Sequence, residues 1–163
     1  TFPLAGGAAA NRIARWDGGN WSALGTGMNN AVAALGVVGN LVYAGGSFTN
    51  AGGVRALRFA VWNGSSWAAT AANGMNDVVN RIKVSGTNVY VGGIFTQADD
   101  IVVNHVGVWN GSDWSGLGQA GRVNGVGGIV TAVRAIAAAP LEFHDAGERI
   151  NITFGNVSVA LPF

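Results

Sequence analysis

Six tryptophans stand in three pairs, and each pair encloses four polar or small residues. The pairs are Trp16 with Trp21, Trp62 with Trp67, and Trp109 with Trp114. An indole can stack on the apolar face of a sugar ring, and nearby carboxylate or amide groups can bind the sugar hydroxyls. The residues that follow the first tryptophan of each pair supply such groups; they are Asp17, Asn63 and Asn110. The pattern therefore has two interpretations, a carbohydrate site at each loop or a repeated structural corner.

The structural alternative gives the two tryptophans of a pair different roles. Paired aromatic residues on neighbouring strands close a hairpin and fill the space between repeated units. The first tryptophan of each pair ends an apolar strand, so we expect it to be a packing residue. The second flanks a polar loop, so three tryptophans remain candidates for contact with a ligand: Trp21, Trp67 and Trp114.

A polar residue also recurs four positions before the first tryptophan of each pair. These residues are Arg12, Arg58 and His105. Residues four apart in a strand point to the same face, so the three side chains recur at one place in each unit. We expect a solvent-exposed strand end there, with a position that lines a ligand site as the alternative.

The sequence lacks the patterns of common catalytic and metal sites. Most of the eight acidic residues lie in predicted turns, so no pair is placed for the two-carboxylate chemistry of glycosidases. His105 and His144 lack the spacing of metal ligands, and Asp99-Asp100 fits a solvated loop better than a calcium site. There is no cysteine, no G-x-S-x-G elbow and no phosphate-binding loop. We therefore expect a protein that is not an enzyme and that has no metal or cofactor.

Composition limits the partners further. Charged residues make up 10% of the chain and the net charge is +1, so no basic surface for nucleic acid is indicated. No apolar run approaches the length of about 20 residues that a membrane span needs. The low charge and the high content of glycine and alanine fit a protein with much of its surface buried against neighbours. We expect self-association or neighbouring chains of a larger assembly as partners, with surface glycans as the alternative.

The elements that position these residues recur along the chain. The first tryptophans of the pairs are 46 and 47 residues apart, and the Gly-Met-Asn motif at 27–29 returns 47 residues later. In each unit two β-runs flank a two-residue turn, as in 35–44 and 82–91, and the tryptophan hairpin follows. Residues 1–139 are therefore predicted to form three β-repeats of 46–47 residues that start in mid-repeat.

Residues 140–163 have no counterpart upstream. Within them, 150–161 reads as a β-hairpin around Gly155-Asn156, because apolar and polar residues alternate on both sides of that turn. This hairpin either completes the last repeat or docks on a neighbouring chain.

Taken together, the Trp-x4-Trp, Gly-Met-Asn and Gly-Gly-x-Phe-Thr motifs of residues 2–139 closely resemble repeats of long extracellular bacterial proteins. More loosely, they are similar to repeats of fungal cortical-marker proteins. Such arrays are taken to be kelch-like β-propellers. The resemblance implies an all-β, propeller-like array of four-stranded antiparallel units and an extracellular location, with no catalytic motif. The third repeat departs from the pattern, because it has Ala-Gly-Arg-Val-Asn at 120–124 in place of Gly-Met-Asn.

Three repeats are too few for a closed propeller, which typically has four to eight blades. A longer array or several chains could complete a ring, or three units could close with pseudo-threefold symmetry as a β-prism or β-trefoil. We therefore expect a non-enzymatic structural or assembly protein that is extracellular, on a cell surface, or on a virion surface such as a tail fibre. The alternative is a carbohydrate-binding adhesion module that uses the tryptophan loops.

Overall fold

The structure, a computed structural model, describes residues 3–117 and the strands 150–154 and 157–161. These residues form strands and turns with no helix, so the all-β prediction is confirmed for the described part of the chain. Residues 118–149, with the rest of the third repeat, lie outside it. The strands are β1 (Leu4–Ala5), β2 (Ala8–Ala9), β3 (Ala14–Trp16), β4 (Trp21–Ala23), β5 (Val32–Val38), β6 (Leu41–Gly46), β7 (Asn50–Ala51), β8 (Val54–Arg55), β9 (Phe59–Trp62), β10 (Trp67–Ala69), β11 (Val79–Ser85), β12 (Asn88–Gly93), β13 (Gln97–Ala98), β14 (Ile101–Val102), β15 (Val106–Trp109), β16 (Trp114–Gly116), β17 (Ile150–Phe154) and β18 (Val157–Leu161).

Two sheets each contain four antiparallel strands that follow one another along the chain. β5, β6, β9 and β10 form the first complete unit, and β11, β12, β15 and β16 form the second. We call the first two strands of a unit its inner hairpin and the last two, which carry the tryptophan pair, its outer hairpin. In the second inner hairpin Ile82 pairs with Val91 and Val84 pairs with Val89. This is the register that the alternation of apolar residues predicts.

Residues 3–23 repeat only the second half of a complete unit, and we call them the partial unit. Their strand pairs β1–β2 and β3–β4 correspond to β7–β8 and β9–β10, 46 residues later. In the complete units the first strand of the outer hairpin also pairs with the inner hairpin, β9 with β6 and β15 with β12. β3 pairs only with β4, so its other edge is free of any strand among the described residues. β17 and β18 form a separate two-stranded antiparallel sheet.

The Gly-Met-Asn and Gly-Gly-x-Phe-Thr motifs meet at the joint between successive units. Met28 and Phe48, one from each motif, are buried in the same core. The Oδ1 of Asn29 accepts hydrogen bonds from the backbone N–H groups of Thr49 and Asn50, both at 2.9 Å. The second complete unit has the same bonds 47 residues later, at 2.9 and 3.0 Å. The two motifs therefore recur together because they hold each joint closed.

Contact between the two complete units places large side chains of one inner hairpin on glycines of the other. Ile82 and Val84 lie on Gly36, where an added Cβ would be 2.6 Å from Ile82 Cγ2 and 3.1 Å from Val84 Cγ2. Val79 lies against Gly45 in the same way. A Cβ at either glycine would collide with the neighbouring unit, so these glycines set how closely the two sheets approach.

Two hydrophobic cores result from this packing. One lies at the junction between the partial unit and the first complete unit and includes Ile13, Leu24 and Trp67. The other lies at the junction of the two complete units and includes Phe59 and Trp114, whose ring centroids are 5.2 Å apart in an edge-to-face arrangement. Each core draws side chains from two successive units, so a unit cannot fill its core alone.

We predict that Gly36→Ala destabilises the chain by about 1–3 kcal/mol, because the new methyl group overpacks the contact with Ile82. Gly19→Ala is the control, since the nearest atom to a Cβ at Gly19 is 3.8 Å away. Urea unfolding followed by circular dichroism gives both free energies. Combining Gly36→Ala with Ile82→Ala should remove most of the extra cost. The same cost with and without the Ile82 side chain would contradict this packing.

Candidate functional site

Each tryptophan pair is a cross-strand pair that closes an outer hairpin. In the strand registers Trp16 lies opposite Trp21, Trp62 opposite Trp67, and Trp109 opposite Trp114. The ring centroids of the three pairs are 5.2, 5.5 and 5.3 Å apart, with interplanar angles of 47, 52 and 46°. This common geometry means that the two indoles of each pair pack on each other.

The polar side chain after the first tryptophan is used inside its own loop. The Oδ1 atom of Asp17, Asn63 or Asn110 accepts hydrogen bonds from the backbone N–H groups two and three residues later, at 2.7–2.9 Å. The glycine that follows has a φ of 103–108°. Glycine adopts this conformation without strain, and it allows the four-residue loop to turn back. These three predicted sugar-binding groups therefore already have structural partners.

In the first loop the acceptor is a carboxylate. The backbone N–H groups of Asn20 and Gly19 hydrogen-bond its charged form, and they lower the pKa of Asp17 below its ordinary value of 3.8. Because the folded-state pKa is below the unfolded one, the bonds stabilise the fold at a pH above about 4. That contribution is lost as the pH falls through the lowered pKa.

We predict that acid opens the first loop and leaves the second closed. Protonation weakens Asp17 as an acceptor, whereas the second loop, 63–66, contains no carboxylate and the amide of Asn63 does not titrate. In an NMR titration from about pH 6 to about pH 2, the amide resonances of Gly19 and Asn20 should move, and those of Ser65 and Ser66 should not. Asp17→Asn should abolish the movement. Equal movement in the two loops would contradict this assignment.

The polar residues four positions before the first tryptophans lie just before a strand, in a left-handed backbone conformation. φ is 65° at Arg12, 64° at Arg58 and 73° at His105. The two arginines donate from Nη1 to the backbone carbonyls of Met28 and Met75, at 2.8 and 2.9 Å. All three residues are half-buried, so the predicted solvent-exposed strand end is wrong. The arginines instead tie each outer hairpin to the joint that follows it.

The second tryptophans do not share one environment. Trp67 and Trp114 are buried, with 4% and 5% of their surface exposed, whereas Trp21 is 45% exposed. Burial leaves Trp67 and Trp114 little indole surface for a sugar ring, so Trp21 is the candidate ligand contact whose indole is exposed. The first tryptophans differ as well, since Trp109 is buried and Trp16 is exposed. Exposure decreases along the chain from the first pair to the third, and in the middle pair Trp62 is half-buried while Trp67 is buried.

A preceding unit accounts for this difference. The Nε1–H of Trp67 donates to the backbone carbonyl of Leu24, which directly follows the partial unit, over 2.8 Å. Trp114 packs edge-to-face on Phe59 of the first complete unit, although its Nε1 is buried without a hydrogen-bond partner. No unit precedes Trp21 among the described residues, so its indole face stays open.

We predict that Trp67→Phe costs more stability than Trp114→Phe. Both substitutions remove the same part of a buried indole, but only the first removes a hydrogen bond, that from Trp67 Nε1 to the carbonyl of Leu24. The carbonyl keeps the N–H of Gly27 as a donor at 3.3 Å, so the loss is worth about 0.5–1.5 kcal/mol. Chemical denaturation of the two variants gives the difference directly. Equal costs, or a larger cost at Trp114, would contradict the role assigned to this bond.

Two apolar grooves run along the free edge of β3. Their volumes are about 620 and 480 Å³, and both are lined by Ile13, Ala14 and Leu35. Val37 also lines the larger groove, and Leu35 and Val37 are 52% and 58% exposed. We call this apolar region between β3 and β5 the open surface.

Sequence reasoning did not single out Leu35 and Val37. The signal that could have found them is their equivalence to Ile82 and Val84, which stand 47 residues later. Those two side chains lie on Gly36 of the preceding inner hairpin. The equivalent hairpin before β5 is absent from the described residues, so the same positions are exposed there.

Comparison with known proteins finds no family model, no curated protein and no solved structure that matches this chain. Among the described residues, no group of three or more histidine, cysteine or acidic side chains is placed to hold a metal ion. Within the same part of the chain, no helix is long and apolar enough to cross a membrane. The function must therefore be inferred from the surface that the fold leaves open.

Proposed function

We propose that this chain is a non-enzymatic structural protein whose β-repeats join further repeats in an extracellular, cell-surface or virion-surface assembly. The observation that supports the proposal is the open surface, where the free edge of β3 lies beside the exposed side chains of Leu35 and Val37. A large exposed apolar patch usually marks a surface of interaction, and a free strand edge readily pairs with another strand.

A propeller-like array is the architecture that we propose for the repeats. Ile82 and Val84 of one inner hairpin lie on Gly36 of the previous one, and the cores are shared between successive units. Sheets that pack face to face in this way are typical of neighbouring propeller blades. We prefer this to a β-prism or β-trefoil, because the inner hairpins of the two complete units pack directly on each other.

A carbohydrate-binding adhesion module is the second candidate, and one observation favours it. Trp16 and Trp21 both have exposed indole surface, and Asp17 lies in the loop between them. This pair could stack on a sugar ring at one end of the array. The same exposure is expected of any outer hairpin whose preceding unit is absent, so we place assembly first.

We predict that the isolated chain self-associates through the open surface and that Val37→Lys weakens this association by at least about tenfold. The substitution places a charge in an apolar contact, and a loss of only about 1.4 kcal/mol is a tenfold change in Kd. Val54→Lys is the matched control, because Val54 is also exposed, at 42%, but lies outside both grooves. Sedimentation velocity over a wide concentration range measures the association.

Two results would count against an assembly role. One is a wild-type chain that stays monomeric at every concentration, and the other is an equal effect of Val37→Lys and Val54→Lys. Glycan binding that Trp21→Ala abolishes, in a chain whose association is unchanged, would support the second candidate instead.

A further inference from the structure

In both complete units the outer hairpin pairs along one edge with the inner hairpin. β9 pairs with β6 at four positions, from Val42 opposite Trp62 to Gly45 opposite Phe59. β15 pairs with β12 at four equivalent positions. An inner hairpin therefore adds a strand to the edge of the outer hairpin and completes a four-stranded sheet.

The partial unit presents the same edge without this partner. β3 is equivalent to β9 but pairs only with β4. The turn beside it also keeps the geometry of a complete unit, because Ala10 N–H donates to Pro3 O at 2.8 Å, just as Ala56 N–H donates to Thr49 O at 2.9 Å. The edge is therefore already formed, and the two grooves flank it.

The packing between the two complete units indicates which side chains a hairpin bound at the open surface must have. Ile82 packs on two glycines of the preceding inner hairpin, where an added Cβ would be 2.6 Å from its Cγ2 at Gly36 and 3.2 Å from its Cδ1 at Gly45. Leu35 is the equivalent of Ile82 in β5, and like Val37 it remains exposed. A hairpin docked in the groove must therefore present small residues at the two positions that match these glycines.

We infer that the open surface binds the inner hairpin of a further repeat of this same type. Recognition combines main-chain pairing with the free edge of β3 and packing of Leu35 and Val37 on two small residues of the hairpin. Because this inference names the partner of the surface that carries the proposed function, it rests on that proposal.

The far face of the second complete unit does not fit the groove. It carries Arg81 and Lys83, both exposed, at the positions where the first complete unit has Ala34 and Gly36. Head-to-tail stacking of two copies would therefore place two cations on an apolar surface without counter-ions, which is costly. Two copies that meet through their open surfaces would cover the apolar patch but would leave each β3 without an inner hairpin.

The chain itself supplies a hairpin for the test. A copy of residues 28–46 fused to the N terminus continues the repeat in register, because Phe2 corresponds to Phe48. The full chain then carries one additional inner hairpin that can reach β3. The control has the same extension with the changes Gly36→Leu and Gly45→Leu made in the copy alone.

The extension with glycines should dock on the open surface. We expect the amide hydrogens of β3 to exchange at least about tenfold more slowly. The melting temperature should rise by about 5 °C or more. The leucine control should show none of these changes.

Unchanged exchange of the β3 amide hydrogens in the extended chain would overturn the inference. Equal docking of the leucine control would overturn it as well, because the requirement for small residues would then be false. A third overturning result would be an increase in β3 exchange when residues 150–161 are deleted from the unextended chain, since the groove would then hold the chain's own C-terminal hairpin.

These outcomes are separable from those for the proposed function. An extension that docks on a chain that never self-associates supports the inference and counts against the assembly role. A chain that self-associates, but in which the extension does not dock on the open surface, supports the assembly role and overturns the inference.

Discussion

Packing of large side chains on glycine across unit boundaries is the interaction on which the rest of the structure depends. A sheet of four short strands cannot bury its own apolar faces, so those faces are covered only when the next sheet comes close. Gly36 and Gly45 permit this approach, and Ile82 and Val79 fill the space that the missing side chains leave. The shared cores and the open surface both follow from which units have a neighbour.

The same constraint determines whether the tryptophans of an outer hairpin are buried or exposed. Trp21 and Trp67 have equivalent partners within their hairpins, yet only Trp67 reaches the carbonyl of a preceding unit and is buried. The loop oxygens of Asp17 and Asn63 are engaged by backbone N–H groups in the same way, whatever the exposure of the neighbouring indoles. The tryptophan motif, which suggests a ligand site, is therefore a structural corner where a preceding unit covers it. Its indoles are exposed in the partial unit, which no unit precedes among the described residues.

The repeat period and the strand register of the inner hairpins could be predicted from the sequence, because Ile82 and Val84 alternate with polar residues and turn residues recur at a fixed spacing. The burial of Trp67 could not be predicted, since a position beside a polar loop does not reveal whether a preceding unit covers it. The prediction that Arg12 lies at a solvent-exposed strand end was wrong for a different reason. Strand alternation assumes an extended backbone, whereas this residue has a φ of 65° and turns its side chain toward the following joint.

Hydrogen exchange of the six indole N–H groups, followed by NMR in the full chain, tests most directly whether neighbouring units determine these environments. The account predicts that the indole N–H of Trp67, which is bonded to Leu24 in a buried contact, exchanges at least about a hundredfold more slowly than that of Trp21. Similar rates at Trp21 and Trp67, under conditions where the chain is monomeric, would contradict it. Equivalent hairpins would then have the same environment with or without a preceding unit.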